Sequence, residues 1–187
     1  MALEIPHLDP LTFSGLAGEE CDLFKRVLAG VGGKGVEIGC LDGFSSCVIL
    51  TVSDLHLTSV DPLVADSMES SLKGNEPRLL NNLKPFGSRW TFVKDFSEKI
   101  APTWTEPLDF LFIDGDHAYE AVLRDYNQWV PLLKQGGIFA IHDFRMSRPG
   151  GPKFHPGPSR VAQEKVYDQS AWQIIGEGFS LTVAKKL

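Results

Sequence analysis

Residues 108–144, LDFLFIDGDHAYEAVLRDYNQWVPLLKQGGIFAIHDF, decide the fold. The apolar run at 108–113 predicts a strand, and a segment with apolar residues at helical spacing follows it. Gly136 and Gly137 are expected to end that helix, and the apolar run at 138–141 predicts a second strand. Runs that are apolar throughout are typical of strands buried on both faces of a parallel sheet. The stretch therefore predicts a strand–helix–strand unit of an α/β fold. The apolar face of the predicted helix consists of Val122, Leu123, Tyr126, Trp129, Val130 and Leu133.

Four chemically active side chains follow these two strands: Asp114, Asp116, His142 and Asp143. The crossover between parallel strands is almost always right-handed, and paired strands lie about 4.8 Å apart. The four side chains are therefore expected to converge at one edge of the sheet. Ligands of open α/β sheets bind at the carboxyl ends of the strands, so we expect the chemistry at this edge.

Composition indicates one domain, residues 1–187, because a chain of 187 residues with 43% hydrophobic content is short for two cores. The formal net charge of −6 and the lack of a Lys/Arg block argue against nucleic acid as the partner. The cysteines Cys21, Cys40 and Cys47 form no CxxC motif and are interpreted as buried apolar side chains in a reducing compartment.

The N-terminal segment has neither the basic start nor the apolar core of a signal peptide, since it carries Glu4, Pro6 and Asp9. No apolar run approaches membrane length. These features predict a cytoplasmic protein with no membrane partner, in which residues 1–18 form a surface extension. The sequence leaves the oligomeric state open, and a homo-oligomer is one of the options.

A strand–loop–helix unit at 36–52 predicts a nucleotide-like ligand. Only Gly39 and Gly43 punctuate its loop, so the GxGxxG spacing that admits a pyrophosphate is absent, and no GK[ST] follows to make a P-loop. The acidic Asp42 would also repel a phosphate. An adenosine ligand without phosphates remains, with an ordinary βα turn as the alternative. The candidate contacts in this unit are Glu37, Gly39, Cys40, Gly43 and Ser45.

Two further acids follow predicted strands. Asp61 follows the strand at 56–60 and suits hydrogen bonding to ribose hydroxyls, with a plain turn residue as the alternative. Asp95 follows the strand at 90–93, and it or its neighbours could contact an adenine amino group. A helix N-cap is the alternative interpretation there. One or two helices are expected between residues 63 and 85.

The segment 145–160, RMSRPGGPKFHPGPSR, contains four prolines and three glycines and predicts an irregular loop, either a lid or a linker. It is the most basic stretch of the chain, which favours an anionic or polyhydroxylated substrate. A helix is predicted at 160–167. Strands at 172–175 and 179–184 predict an antiparallel hairpin added to the parallel sheet, for seven strands in total.

Together the VEIGCLDGFSS segment, Asp61, Asp95, the 108–144 stretch and the terminal hairpin resemble the class I S-adenosylmethionine-dependent methyltransferases. The resemblance covers roughly residues 20–187. The IDGDHAYE and GGIFAIHDF segments look like those of a bacterial group of small-molecule O-methyltransferases, related to metal-dependent enzymes that methylate sugar hydroxyls. The resemblance implies a Rossmann-like three-layer sandwich with a seven-stranded, mostly parallel sheet, and a small-molecule or glycan hydroxyl as acceptor.

The resemblance also implies roles for the residues at the sheet edge. Carried onto this chain, a Mg²⁺ or Mn²⁺ site would be formed by Asp114, His142 and Asp143, and Asp116 would be the general base. His142 stands where those enzymes usually have a carboxylate, and imidazole suits Mn²⁺, iron, nickel or zinc better than Mg²⁺. If no metal binds, His142 or His117 becomes an alternative base. His117 is otherwise interpreted as a helix-start residue.

Two other functions stay open at the level of sequence. A catalytically silent S-adenosylmethionine-binding or scaffold protein would tolerate the substitution at His142. An NAD-dependent oxidoreductase could use the same fold, although the missing middle glycine of the loop disfavours it.

Overall fold

The computed structural model describes residues 5–144, 156–167 and 170–187. Its described part contains one mixed sheet of seven strands in the order β3-β2-β1-β4-β5-β7-β6. β1 to β5 are parallel, and β7 is antiparallel to both β5 and β6. The predicted fold, a seven-stranded and mostly parallel sheet with a C-terminal antiparallel hairpin, is therefore confirmed. The strands are β1 Gly32–Ile38, β2 Asp54–Val60, β3 Trp90–Val93, β4 Leu108–Ile113, β5 Leu133–Ile141, β6 Trp172–Gly178 and β7 Leu181–Lys186.

Helices cover both faces of the sheet and complete three layers. On one face, α1 and α2 pack with Phe110 and Phe112 of β4. On the other face, α5 and α6 pack with Leu111 and Ile113 of the same strand. This alternation explains why β4 is apolar at every buried position. The helices are α1 Gly18–Leu28, α2 Phe44–Val52, α3 Glu76–Leu83, α4 Ser97–Ile100, α5 Tyr119–Trp129 and α6 Pro156–Ala162.

The end of α5 differs from the prediction. The helix stops at Trp129 and not at the glycine pair, and a single 3₁₀ turn, Val130–Leu132, leads into β5. Pro131 lies in that turn, where its ring prevents the helix from continuing. Leu133 consequently belongs to β5, and Gly136, at φ 79°, sits inside the strand where its register with β4 shifts.

Other segments were predicted only in part. Between residues 63 and 85 the structure has one helix, α3, followed by a 3₁₀ turn, Lys84–Arg89. The irregular loop predicted at 145–160 was wrong for residues 156–160, because α6 begins at Pro156. Prolines are tolerated there because the first turn of a helix leaves its N–H groups unpaired. Residues 145–155 lie outside the described residues.

The N-terminal segment, predicted as a surface extension, is partly anchored. Leu16 is buried, and the partly buried Ile5 and Leu8 pack against the core cluster that contains α1. The backbone N–H of Asp9 donates to the side chain of Asn82 in α3 at 2.9 Å. Among the helices of the described ranges, none combines the length and the apolar character that crossing a bilayer requires.

Candidate active site

A cleft of about 820 Å³ opens at the carboxyl ends of β1, β2, β4 and β5. This is the edge at which the parallel topology predicts a ligand. Glu37, Gly43 and Asp95, which were predicted to contact the cofactor, do not line the cleft. The predicted site residues that do line it are Gly39, Cys40, Ser45, Asp61, Asp114, Asp116, His142 and Asp143.

The two glycines of the β1–α2 loop serve different purposes. Gly39 has φ 84°, and a Cβ at this position would lie 2.2 Å from the carbonyl oxygen of Asp114. The loop can therefore approach the end of β4 only because residue 39 lacks a side chain. Gly43 also has φ 84°, but its missing Cβ makes room for Leu79 and Leu83 of α3. Gly43 thus sets the packing of α2 on α3 and does not face the cleft.

Glu37 lies behind this loop, where it is fully buried. Its carboxylate accepts hydrogen bonds from the hydroxyls of Ser45, at 2.5 Å, of Ser46, and of Ser59, at 2.8 Å. Burial raises the pKa of Glu37 to about 7, against the opposing effect of the three hydroxyls. The residue therefore joins β1, α2 and β2 beneath the cleft, and the hydroxyl of Ser45 is directed toward it.

Asp61 holds the β1–α2 loop from the end of β2. Its Oδ2 accepts the backbone N–H groups of Cys40, at 2.8 Å, and Leu41, at 2.9 Å. Its Oδ1 accepts the N–H of Leu63 at 2.7 Å. A carboxylate has about four acceptor sites, so capacity for about one further donor remains at the cleft. Leu41 and Leu63 both have positive φ, 46° and 57°, which shows how tightly the backbone is folded around this carboxylate.

Asp95 lies on the surface, not in the cleft. Its carboxylate accepts the ammonium group of Lys99 and the N–H of Phe96, both at 2.8 Å, and the bond from Lys99 holds its pKa below the ordinary value. The next two residues, Phe96 and Ser97, do line the cleft. The hydroxyl of Ser97 donates to Asp125 of α5, a cleft-lining acid whose pKa burial raises to about 6.

His142 occupies the centre of a buried charge network. Its Nδ1 lies 3.1 Å from Asp114 and 3.3 Å from Asp143, and its Nε2 lies 3.1 Å from Glu20 of α1. Burial alone lowers the pKa of this ring, but the surrounding carboxylates outweigh burial and hold the pKa well above its ordinary value. The ring is therefore a cation placed among three acids, one in α1 and two that directly follow β4 and β5. The hydroxyl of Ser180, from the β6–β7 turn, is 3.1 Å from the same Nε2.

His117 forms a second bridge in the same network. Its Nδ1 lies 2.9 Å from Asp66 and its Nε2 lies 2.8 Å from Asp143. These carboxylates raise the pKa of His117 to about 9, although burial opposes them. The residue precedes α5, which begins at Tyr119, and is buried at the cleft wall. His117 thus lies at the start of the helix and also joins Asp66 to Asp143, and a part for it in the chemistry stays a prediction.

Asp116 also lines the cleft and is held in one orientation. Its Oδ1 accepts the N–H of Ala118 and the hydroxyl of Ser67, each at 2.7 Å, and its Oδ2 accepts the N–H of Ser67 at 3.1 Å. Partial burial raises its pKa, but these bonds outweigh that effect and lower it. The group is consequently an ionised carboxylate at neutral pH, with a free acceptor site for a proton.

The donor atoms at the sheet edge fit a divalent cation. Within the described ranges, Asp114, His117 and Asp143 offer ligand atoms that all lie within 4.8 Å of one another. Asp143 has φ 55°, a backbone conformation that is uncommon outside glycine and is typical of functional positions. Two carboxylates and one imidazole suit a first-row transition ion better than Mg²⁺.

Three residues of this site were not found from the sequence, Glu20, Asp66 and Asp125, and His117 was considered only as an alternative base. Glu20 looks like one of several acids at the start of α1, and Asp66 lies in an irregular loop without a strand before it. His117 was visible in the IDGDH segment, but nothing in the sequence shows that both its nitrogens meet carboxylates. These residues meet partners that are far away in the sequence, so no local sequence pattern reveals them.

The chain is similar to a known protein family and to a viral protein. The family model described as a methyltransferase domain matches residues 36–144. An uncharacterised protein of Acanthamoeba polyphaga mimivirus is 30% identical over 150 residues, which are 75% of this chain and 66% of that protein. The chain thus spans just under two thirds of the length of this curated relative.

Solved structures share the fold at low sequence identity. A calicheamicin methyltransferase superposes with a TM-score of 0.68 at 12% identity, covering 89% of this chain and 77% of its own. The O-methyltransferase TomG from Streptomyces achromogenes, involved in tomaymycin synthesis and solved in complex with SAM, superposes with a TM-score of 0.60 at 17% identity. That match covers 92% of this chain and 81% of TomG.

Proposed function

The chain belongs to the methyltransferase domain family, and from this premise we propose that it uses S-adenosylmethionine to methylate a hydroxyl group of a small molecule or sugar. The observation that carries the proposal is the convergence, in one cleft, of the β1–α2 loop with the ionised and oriented carboxylate of Asp116. The first could hold a nucleoside, and the second could accept the proton of a hydroxyl.

We assign the cofactor to the part of the cleft that is formed by the β1–α2 loop and by the residues near it at the ends of β2 and β3. Gly39 and Cys40 line the cleft beside the acidic Asp42, which suits a ligand without phosphates. Asp61 would accept a ribose hydroxyl with its remaining acceptor capacity. Phe96 and Ser97, rather than Asp95, are the residues after β3 that could contact the adenine ring.

We assign the methyl acceptor to the part of the cleft at the carboxyl ends of β4 and β5. Small-molecule sites measure about 300–1,000 Å³, and a cleft of about 820 Å³ leaves room for an acceptor beside the nucleoside. A small-molecule or glycan acceptor is proposed rather than nucleic acid, because the chain carries a formal net charge of −6. A cytoplasmic location is part of the proposal and rests on the sequence alone.

Methyl transfer to oxygen needs a nucleophile whose proton is leaving. The methyl carbon would break its bond to the sulfonium sulfur and bond to the acceptor oxygen, whose proton would pass to Asp116, giving S-adenosylhomocysteine and a methyl ether. Asp116 could accept this proton because Ser67 and Ala118 hold its carboxylate in one orientation at the cleft. A divalent ion held at Asp114 and Asp143 would stabilise the developing alkoxide.

The buried cations support the same chemistry. His142 and His117 place two positive charges against Asp114 and Asp143, which reduces the negative charge beside the acceptor. If no metal binds in the enzyme, one of these rings is left as the alternative proton acceptor. Each ring would first have to lose its own proton, although the neighbouring carboxylates raise the pKa of the ring and so favour its protonated form.

The proposal is tested by incubating the purified protein with S-adenosylmethionine labelled in the methyl group and a panel of sugars, phenols and aliphatic alcohols. Transfer of label to an acceptor oxygen, abolished in Asp116→Asn, is the expected result. Binding of the cofactor without transfer to any acceptor would instead favour a catalytically silent binding protein. Binding of NADH in place of the cofactor would favour an oxidoreductase.

A further inference from the structure

We propose that His117, rather than His142, is the nitrogen ligand of a divalent-metal site completed by Asp114 and Asp143, and that Asp66 positions its ring. The inference deepens the proposed function and rests on it for the role of the ion, which would act on the acceptor oxygen. The binding of the ion itself is independent of any cofactor.

The spacing of the donor atoms suits an ion with about six ligands. Ligand atoms at adjacent corners of an octahedron stand about 3.0 Å apart when each is about 2.1 Å from the ion. Nε2 of His117 lies 2.8 Å from Oδ2 of Asp143, and the two residues, with Asp114, offer ligand atoms that all lie within 4.8 Å of one another. The two donor atoms therefore already have about the separation that adjacent ligands of such an ion require.

The opposite edge of the His117 ring has the partner that metal-binding histidines usually have. Such a ring almost always donates its other N–H to a carboxylate or a carbonyl, which fixes the tautomer. Nδ1 of His117 lies 2.9 Å from Oδ2 of Asp66. Asp66 is itself held by the N–H groups of Met68, at 2.8 Å, and Glu69, at 2.6 Å. The proton therefore stays on Nδ1, and Nε2 is left to bind the ion.

His142 is held in a different role by Glu20. Glu20 has no exposed surface, and among the described residues its hydrogen-bond partners are Ala17, Ser180 and the His142 ring. Of these groups only the ring can carry a positive charge. Nε2 of His142 is shared between Glu20 and Ser180, and among the described residues the group whose ligand atoms all lie within 4.8 Å of one another contains His117 with Asp114 and Asp143. Asp66 lines the cleft and accepts the backbone N–H groups of Met68 and Glu69 as well as the His117 ring, so it can hold this ring in place when Nε2 binds the ion.

The donor set predicts which ions bind. Mg²⁺ prefers oxygen ligands and gives up its waters reluctantly, whereas Mn²⁺ and Co²⁺ accept imidazole more readily. We expect the chelator-treated protein to bind one Mn²⁺ or Co²⁺ more tightly than Mg²⁺. The order should be visible in a competition titration without any nucleoside.

The decisive experiment is pulsed electron paramagnetic resonance of Mn²⁺ bound to the full chain. Modulation of the spin echo by a directly bound imidazole nitrogen is expected in the wild type. The modulation should disappear in His117→Gln and persist in His142→Gln, which is the matched control because the same residue type is changed in the same network. Asp66→Asn should keep the modulation and weaken Mn²⁺ binding by about 10- to 100-fold.

Three results would overturn the inference: a nitrogen signal that survives in His117→Gln, a signal lost in His142→Gln with Mn²⁺ still bound, or no Mn²⁺ binding by the folded wild type at millimolar concentration. Circular dichroism of each variant separates a lost ligand from a lost fold. Failure to bind S-adenosylhomocysteine would contradict the proposed function and leave the metal result standing, so the two failures are distinguishable.

Discussion

Nε2 of His142 lies 3.1 Å from Oε1 of Glu20, although 122 residues separate them. The contact brings the first helix of the chain beneath the carboxyl end of β5. The same carboxylate also accepts the N–H and the hydroxyl of Ser180 in the β6–β7 turn, at 2.9 and 3.0 Å. The charge network of the candidate site is therefore built from both ends of the chain, and α1 and the terminal hairpin are parts of it.

Asp116→Asn tests the proposed base. The amide keeps the shape of the side chain and can still accept from Ala118, so the variant should fold, but it cannot take a proton. We expect turnover to fall by about 10²- to 10⁴-fold while cofactor affinity changes little. Initial rates and a binding titration measure the two quantities. Asp95→Asn is the matched control, since that acid lies outside the cleft; wild-type turnover in Asp116→Asn would remove Asp116 as the base.

Asp61→Asn tests the ribose contact separately from the loop. The variant should bind S-adenosylhomocysteine about tenfold or more weakly, because it loses a charged acceptor at the cleft. Part of that loss would come from the loop, since Asp61 also holds Cys40 and Leu41. A deoxyribose analogue of S-adenosylhomocysteine separates the two causes. The wild type should bind the analogue more weakly than S-adenosylhomocysteine, whereas the variant should bind the two ligands with equal affinity. An equal penalty in both proteins would rule out the ribose assignment.

Glu37→Gln tests the buried acid through pH. The pKa of Glu37 is about 7 in the folded protein and has an ordinary value of 4.5, so its folded pKa is raised. Its contribution to stability is then full below pH 4.5 and is lost as pH rises to about 7. The loss is on the order of 3 kcal/mol. The free energy of unfolding of both proteins is measured by denaturation between pH 4 and pH 8, roughly the span of this titration. The wild type should lose stability relative to Glu37→Gln as the pH rises. If the two free energies changed in parallel with pH, the assignment would be contradicted.

Gly39→Ala tests the close approach of the loop to β4. The added Cβ would meet the carbonyl oxygen of Asp114 at 2.2 Å, in addition to the strain of φ 84°. Gly30→Ala is the matched control, because Gly30 has φ 73° and nothing within 4 Å of an added Cβ. Gly30→Ala should cost about 1–2 kcal/mol of unfolding free energy. Gly39→Ala should cost clearly more, and equal costs would show that the loop can move away from Asp114.

The sequence predicted the parts of this structure that depend on local pattern. The strand at 108–113 has the predicted bounds because its buried positions are all apolar, and the strands at 56–60 and 90–93 were placed to within two residues. The end of α5 was missed because the glycine pair was weighed above Pro131. Asp114, Asp116, His142 and Asp143 were placed correctly at one edge, since topology alone brings strand ends together.

What the sequence could not predict depends on contacts across the fold. Nothing local distinguishes Glu20 from its neighbour Glu19, yet only Glu20 reaches His142. Asp95 follows a strand as Asp61 does, but its side chain turns to Lys99 on the surface. Asp66 has no strand before it and still meets His117, 51 residues later. The packing of the loops determines which of these side chains meet, and this packing cannot be predicted from a local residue pattern.

The most direct test of the account is a calorimetric titration of the chelator-treated protein with S-adenosylhomocysteine. The account predicts one site of micromolar affinity that Asp61→Asn weakens and Asp95→Asn leaves unchanged. If the folded protein bound no S-adenosylhomocysteine at millimolar concentration, with or without added Mn²⁺, the proposed use of S-adenosylmethionine would be contradicted.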